Sequence, residues 1–170
     1  MALIVEDGSM VAGAESYASI TYANNYFILL GNEAWGDLDL STKEQALRKA
    51  TQFMQNEYFS MWQGVKRQYT QALDWPRENV YIAGTDSLVA NSIIPNEIKN
   101  ACCLLAYKAS VGALYSDKER SIKREKIDVL ETEYFESDSN QKEYREIDAM
   151  LRRYMISASA KSGALPIVRV

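Results

Sequence analysis

The chain has 170 residues, of which 47% are hydrophobic and 25% charged, and this composition is typical of a globular protein with one domain. Its 19 basic and 23 acidic residues give a net charge of -4. That charge argues against a general nucleic-acid binder, because such a protein uses a strong positive field to displace counterions. No apolar run approaches the roughly 18 residues of a membrane span, so we expect no membrane contact.

Two residue types limit the chemistry further. The two cysteines, Cys102 and Cys103, are adjacent and lie in an apolar run, which predicts buried thiols in a reducing compartment. The chain has no histidine, which removes the commonest general base, the Ser-His and Cys-His nucleophilic pairs and the usual zinc ligands. The acidic N-terminus is unlike a signal peptide, so we expect synthesis in the cytoplasm.

The first third of the chain predicts an extended segment and then a short helix. Residues 2–20 are rich in turn-forming residues and are predicted to be extended. A helix is predicted over residues 21–30, ended by Gly31 and Asn32. Its inward side is predicted to carry Tyr22, Tyr26, Phe27 and Leu30.

The second predicted helix has the clearest start. Ser41-Thr42-Lys43-Glu44 fits a capping box, in which Ser41 accepts from a backbone N–H and Glu44 reaches back to the cap. Apolar residues then recur at helical spacing and predict one buried face. These residues are Ala46, Leu47, Ala50, Phe53, Met54 and Tyr58.

A tryptophan-rich block covers residues 62–77, from Trp62-Gln63-Gly64 to Trp75-Pro76-Arg77. Because a proline ring disfavours the helical conformation at the preceding residue, we expect an irregular segment here. Trp75 is expected to fill the core, and Arg77 is expected to lead back to the surface. The predicted structural core consists of Trp62, Trp75, Pro76, Leu47, Phe53 and Leu105.

The third helix is predicted to open at Ile94-Pro95-Asn96-Glu97, with Pro95 at the first helical position and Glu97 near the positive end of the dipole. Its apolar stripe predicts a central, buried helix. The stripe is Ile98, Ala101, Cys102, Leu105, Ala109 and Ala113, broadened by Leu104 and Val111.

The last third of the chain predicts an arm, a helix and a tail. Segment 118–136 partly alternates with period 2, which favours a β-hairpin or an extended arm. A last helix is predicted from a cap at 137–140 to about Ile156, and the inward residues of this helix are predicted to be Tyr144, Ile147, Leu151 and Tyr154. Residues 1–160 are predicted to form the helical domain, and residues 161–170 an extended tail. The predicted fold is therefore mainly α, a small bundle of about four helices with an extended or β-hairpin arm and extended N- and C-terminal segments.

Catalytic signatures are missing from the sequence. Paired carboxylates such as Asp37 with Asp39, or Glu131 with Glu133, could serve a glycosidase or a metal-dependent nuclease, but they lie in charge-rich segments typical of a solvated surface. No glycine forms a phosphate-binding loop with a lysine. We therefore expect no enzyme, no cofactor and no metal site.

Four stretches resemble one group of tailed-phage proteins. They are 2–17, Ala46-Leu47-Arg48-Lys49-Ala50-Thr51, the tryptophan-rich block, and Ile94-Pro95-Asn96-Glu97-Ile98 leading into Ala101. Their order and spacing are similar to those of the proteins labelled "putative DnaT-like single-stranded-DNA-binding protein", from residue 2 to about residue 115. The resemblance leaves two functions open.

The first function that the resemblance implies is that of a head-to-tail adaptor, a neck protein of the virion made in the bacterial cytoplasm. Its partners would be the portal protein, a downstream tail or neck protein, and about twelve copies of itself in a ring. Double-stranded DNA would pass through that ring without specific binding. The portal-docking tail would be Leu165, Pro166, Ile167, Val168, Arg169 and Val170, a β-prone strand able to add to a partner's sheet. The arm facing a neighbouring subunit or the tail would carry Arg120, Lys123, Arg124, Lys126, Ile127 and Val129, with DNA-backbone contact as a second reading. The net charge of -4 and the absence of aromatic residues interleaved with basic ones favour this adaptor.

The alternative function is single-stranded-DNA binding. Trp62 and Trp75 would stack on bases, while Lys66 and Arg67 would contact phosphates. Binding that falls steeply with salt would distinguish this function from the adaptor.

Overall fold

A computed structural model describes residues 2–82, 84–85, 87–115 and 144–156. Within these ranges the chain forms five α-helices: α1 (Ile20–Leu29), α2 (Glu33–Gly36), α3 (Leu40–Tyr58), α4 (Asn96–Val111) and α5 (Arg145–Leu151). A two-stranded antiparallel sheet, β1 (Val65–Lys66) with β2 (Arg77–Glu78), lies between α3 and α4 in sequence. The mainly helical class is confirmed. The predicted arm 118–136, the cap 137–140 and the tail 161–170 lie outside the described residues.

The core is built around α3 and α4, which pack against each other, with α5 against α4. The predicted inward residues of α3 are all buried, as the helical spacing requires. In α4, Ile98, Ala101, Cys102, Leu105 and Ala109 are buried, so the central position of this helix is confirmed. Val111 and Ala113 are exposed, and their predicted inward position is wrong because the helix ends at Val111.

The start of α3 corrects the predicted cap. The helix begins one residue before Ser41, and Asp39 is the N-cap, its carboxylate accepting the backbone N–H of Thr42 at 2.6 Å. The hydroxyl of Thr42 donates to the same carboxylate at 3.2 Å. Ser41 lies in the first turn, where its hydroxyl accepts from Gln45. Both residue types cap helices well, and the ionised carboxylate is the stronger acceptor at the positive end of the dipole.

Two other helix ends differ from their predictions. Pro95 precedes α4 as its extended N-cap instead of occupying the first helical position. The last helix ends at Leu151 and tightens into a 3-10 turn at Arg152–Tyr154, so it does not reach Ile156. Its predicted inward residues Ile147, Leu151 and Tyr154 are nevertheless buried, and Tyr144 is half-buried.

The region around α1 and α2 contains core residues that the sequence pattern did not indicate. Trp35 of α2 is fully buried and its ring lies 4.9 Å from that of Phe27. α1 buries Ala23 and Phe27, whereas Leu30 is exposed because the chain turns away at Gly31, which has φ +67°. The predicted inward position of Leu30 is therefore wrong.

The N-terminal segment is organised by a buried carboxylate. Glu6 accepts the backbone N–H groups of Gly8, Met10 and Val11 at 2.8 to 2.9 Å. Gly8 has φ +108°, and a Cβ there would lie 2.1 Å from the carbonyl oxygen of Ser92. The glycine therefore allows the N-terminal turn to lie directly against the loop before α4.

No helix in the described ranges is long and apolar enough to cross a membrane.

Candidate nucleic-acid interface

We call residues 62–82 the Trp hairpin, because they contain both β1 and β2. Val65 pairs with Glu78 and Lys66 with Arg77 in the antiparallel register. The ten residues that join the strands, 67–76, form an irregular loop that contains the cis Trp75–Pro76 bond. The irregular conformation predicted for this block is therefore present, and a short hairpin closes it.

The two tryptophans lie inside the protein. Trp62 is 3% exposed and Trp75 is 0% exposed, and their rings meet edge to face at 5.8 Å. Tyr154 packs on the other side of Trp75 with ring centroids 5.6 Å apart. Neither tryptophan can stack on a base, so the predicted stacking role of these rings is wrong. An indole buries more apolar area than any other side chain, and a domain of this size uses that area in its core.

The predicted structural core residues are placed together in the interior. Trp62, Trp75, Pro76, Leu47, Phe53 and Leu105 are all buried.

Arg77 is also buried, at 7% exposure, so its predicted return to the surface is wrong. Its guanidinium donates to the carbonyl oxygens of Gln63 at 2.8 Å, Gly64 at 2.8 Å and Asp74 at 3.3 Å. These three carbonyls belong to both arms of the Trp hairpin. Burial lowers the pKa of Arg77, but the guanidinium stays charged at any ordinary pH. Arg77 therefore holds the hairpin closed from the inside.

Gln63 joins the Trp hairpin to the end of the described chain. Its backbone N–H donates to the carbonyl of Tyr154 at 3.0 Å, and its side-chain amide donates to the carbonyl of Met155 at 3.0 Å. The side-chain oxygen accepts the backbone N–H of Tyr81 at 3.1 Å. The hairpin is thus held against the 3-10 turn after α5 and forms a fixed part of the surface.

The two cations predicted to contact phosphate are placed differently from each other. Lys66 lies 3.0 Å from a carboxylate oxygen of Asp74, whose side chain is nearly buried. Arg67 donates through Nη1 to the carbonyls of Asn91 at 3.3 Å and Gly8 at 3.5 Å. A carboxylate therefore balances the charge of Lys66, whereas Arg67 contacts only neutral oxygens among the described residues.

Exposed tyrosines occupy two positions of the Trp hairpin. Tyr69, in the loop between the strands, is 92% exposed, and Tyr81, just after β2, is 55% exposed. Sequence reasoning missed both, since eleven tyrosines gave no sign of which ones are accessible. For Tyr69, its position in the tryptophan-rich block that also holds Lys66 and Arg67 was the available signal.

No three His, Cys, Asp or Glu side chains of the described residues could hold a metal ion. Cys102 lies 3.3 Å from the hydroxyl of Thr51, and burial raises the pKa of its thiol, which keeps the sulfur protonated and unreactive. Burial also raises the pKa of Tyr17, whose hydroxyl oxygen accepts the backbone N–H of Asp74.

The predicted arm and tail residues lie outside the described ranges, so the structure does not place them. This holds for the basic arm residues from Arg120 to Val129 and for the tail from Leu165 to Val170. The portal protein, the tail or neck protein, the ring of copies and the virion location stay predictions.

The whole chain, residues 1–170, matches a protein family described as "Putative DnaT-like ssDNA binding protein". No curated protein and no solved structure matches it. The match extends well beyond residue 115, where the sequence motifs stop. It corrects the head-to-tail adaptor assignment, which is wrong: the family that covers the full chain is described as single-stranded-DNA binding, and nothing in the match indicates a neck protein. The chain belongs to this DnaT-like family.

Proposed function

We propose that this protein binds single-stranded DNA. The observation that carries the proposal is the family match over residues 1–170. The Trp hairpin supports it, because it exposes the ring of Tyr69 in the same segment as the guanidinium of Arg67. Aromatic rings beside cations are the usual means of holding unpaired bases and their phosphates.

The net charge of -4 is compatible with this function. Net charge is a sum over the whole surface, whereas phosphates respond to the charges within about 10 Å of them at ordinary salt. Of the charged side chains in the Trp hairpin, Lys66 and Asp74 neutralise each other, Arg77 is buried, and Glu78 accepts from the side-chain amide of Asn91. The remaining cation in this segment is Arg67, which is half-buried. We therefore expect modest affinity that falls as the ionic strength rises.

We further propose that the protein acts by binding alone and has no catalytic activity. The chain has no histidine, and its two cysteines are buried thiols without a neighbouring base. The carboxylates Asp37 and Asp39, considered above as a catalytic pair, lie at two helix ends, where Asp37 is the C-cap of α2 and Asp39 is the N-cap of α3. Incubation of DNA with the protein and Mg²⁺ should leave the DNA intact.

Fluorescence anisotropy of a labelled oligothymidylate about 16 nucleotides long, the upper site size for compact single-strand binders, tests the proposal with the full chain. We expect micromolar or tighter binding at low salt. The logarithm of the affinity should fall linearly with the logarithm of salt, by about 0.7 for each phosphate contacted. A duplex of the same length should bind more weakly, because its bases are already stacked on each other. No binding to the single strand at the lowest salt would overturn the proposal.

A further inference from the structure

The loop of the Trp hairpin contains a turn that is held by an unusual number of hydrogen bonds. The backbone N–H of Gln71 donates to the carbonyl of Gln68 at 3.2 Å, which closes a four-residue turn with Tyr69 and Thr70 at its centre. The side chain of Gln71 is buried and accepts the backbone N–H of Gln68 at 2.9 Å. Its amide also donates to the carbonyls of Leu73 at 2.8 Å and Pro76 at 2.9 Å. Residues 68–71, which we call the Tyr69 turn, are therefore fixed from within.

This turn carries the most exposed large hydrophobic side chain of the described residues. Tyr69 is 92% exposed, so almost the whole ring is in water. A flexible loop could fold such a ring against the protein, but the buried amide of Gln71 prevents the backbone from rearranging. The backbone therefore keeps the ring in water, and binding a ligand has to fix only the side-chain rotation of Tyr69.

Arg67 lies two residues before Tyr69 and has half of its guanidinium available. Nη1 contacts the carbonyls of Asn91 and Gly8, and the backbone N–H of Arg67 donates to the carbonyl of Pro76 at 3.4 Å. Nε and Nη2 have no acceptor among the described residues. Two parallel N–H groups on one edge of a guanidinium match the oxygens of a phosphate. The neighbouring Lys66 is held by Asp74 and is the weaker candidate.

We propose that the Tyr69 turn and Arg67 together form the contact point for single-stranded DNA. The ring of Tyr69 stacks on an unpaired base, and the free edge of Arg67 binds a phosphate of the same strand. This site rests on the proposed function. Stacking of this kind requires a base that is not already paired and stacked, so it selects single strands over duplexes and tolerates any base.

The test compares four single variants with the wild type in the anisotropy assay at low salt. Tyr69→Ala should weaken binding by about fivefold to a hundredfold, the range measured for removing one base-stacking ring. Tyr69→Phe keeps the ring and should bind within about twofold of the wild type. Arg67→Ala should weaken binding and reduce the salt slope by about 0.7, the value for one lost phosphate contact on a single strand. Tyr81→Ala is the matched control, an exposed tyrosine of the same hairpin outside the turn, and should leave affinity within about twofold.

The outcomes separate the site from the function. If the wild type binds single-stranded DNA and both Tyr69→Ala and Arg67→Ala bind as tightly as the wild type, the site is wrong and the proposed function stands. Equal losses in Tyr69→Ala and Tyr81→Ala would also overturn the assignment to the turn. A wild type that does not bind overturns the function and the site together. Because Tyr69 is exposed, its variants should melt at the wild-type temperature, which excludes unfolding as the cause of a loss.

Discussion

Replacing Arg77 with methionine tests whether a buried arginine holds the Trp hairpin closed. The substitution keeps an unbranched side chain of similar length, so it fills most of the space, but it removes every hydrogen bond from the guanidinium. The carbonyls of Gln63, Gly64 and Asp74 then lose their donors. Asp74 keeps its ion pair with Lys66, so no new unpaired carboxylate is created.

The expected loss can be worked out from these three bonds. A hydrogen bond contributes about 1 kcal/mol net, and one with a charged donor contributes about 1.5 to 3 kcal/mol. The guanidinium is desolvated by burial, which offsets part of that gain. Three bonds at about 1 kcal/mol each give a loss near 3 kcal/mol in the free energy of unfolding. For a protein of this size that is a decrease of about 6 to 12 °C in melting temperature.

Urea unfolding followed by tryptophan fluorescence measures this loss, because Trp62 and Trp75 report directly on the hairpin. Arg152→Met is the matched control, since Arg152 is an exposed arginine in the 3-10 turn and its replacement should change stability by less than about 0.5 kcal/mol. Arg77→Lys should fall between the wild type and Arg77→Met, because one ammonium group cannot reach all three carbonyls. If Arg77→Met unfolds at the same urea concentration as Arg152→Met, Arg77 does not hold the hairpin and the buried position is refuted.

Three further predictions concern the helices and the end of the described chain. Leu105→Ala should lower the free energy of unfolding by about 2 to 5 kcal/mol because Leu105 is fully buried in α4, and a change below about 1 kcal/mol in urea unfolding would contradict that burial. Asp39→Ala should lower the melting temperature while Ser41→Ala leaves it unchanged, and the reverse order would restore the predicted capping box. The hydrogen bonds at the cap lower the pKa of Asp39, so its contribution should be present at neutral pH and disappear as the pH falls through that lowered pKa. Burial and the bond to Glu97 raise the pKa of Tyr154 to about 12. The folded state holds the hydroxyl proton of Tyr154 more tightly than the unfolded chain does. The contribution of Tyr154 to the free energy of unfolding should therefore be complete below a pH of about 10 and decline toward a pH of about 12. Tyr154→Phe should flatten that decline in unfolding curves measured across this pH range.

The helices could be predicted from the sequence because their signal is local and repeated. The apolar residues of α3 and α4 recur every three or four positions over several turns, and this pattern indicated both helices and their buried faces. Single positions at the ends were less well predicted. Ser41 and Asp39 are equally suitable caps by residue type, and the choice depends on where the preceding chain directs the carboxylate. Trp35 was missed because α2 has four residues, too few to show a period.

Of the four residues that the sequence suggested for a single-stranded-DNA site, the proposed site keeps Arg67 and has Tyr69 in place of the two tryptophans. The Trp hairpin was singled out for its tryptophans, and a sequence cannot show whether an aromatic ring points inward or outward in a segment without regular periodicity. The structure places the tryptophans and Arg77 inside, and Tyr69 and Tyr81 outside. Gln71 fixes this arrangement through hydrogen bonds to backbone groups up to five residues away, and no residue pattern indicates them.

The difference between what a sequence shows and where its side chains lie also explains why the net charge led to the wrong prediction of an adaptor. A charge of -4 is a property of composition, and it would exclude DNA binding only if the charges were spread evenly over the surface. In the folded protein the charges are not spread evenly, because Arg77 is buried against carbonyl oxygens and Lys66 is paired with Asp74. Arg67 has no carboxylate partner among the described residues and lies two positions before the exposed Tyr69. A single-strand binder needs only a few such positions in the right place. Its affinity for the single strand is then set by these local groups and by the salt concentration. The remaining acidic surface disfavours duplex DNA, whose charge density is higher.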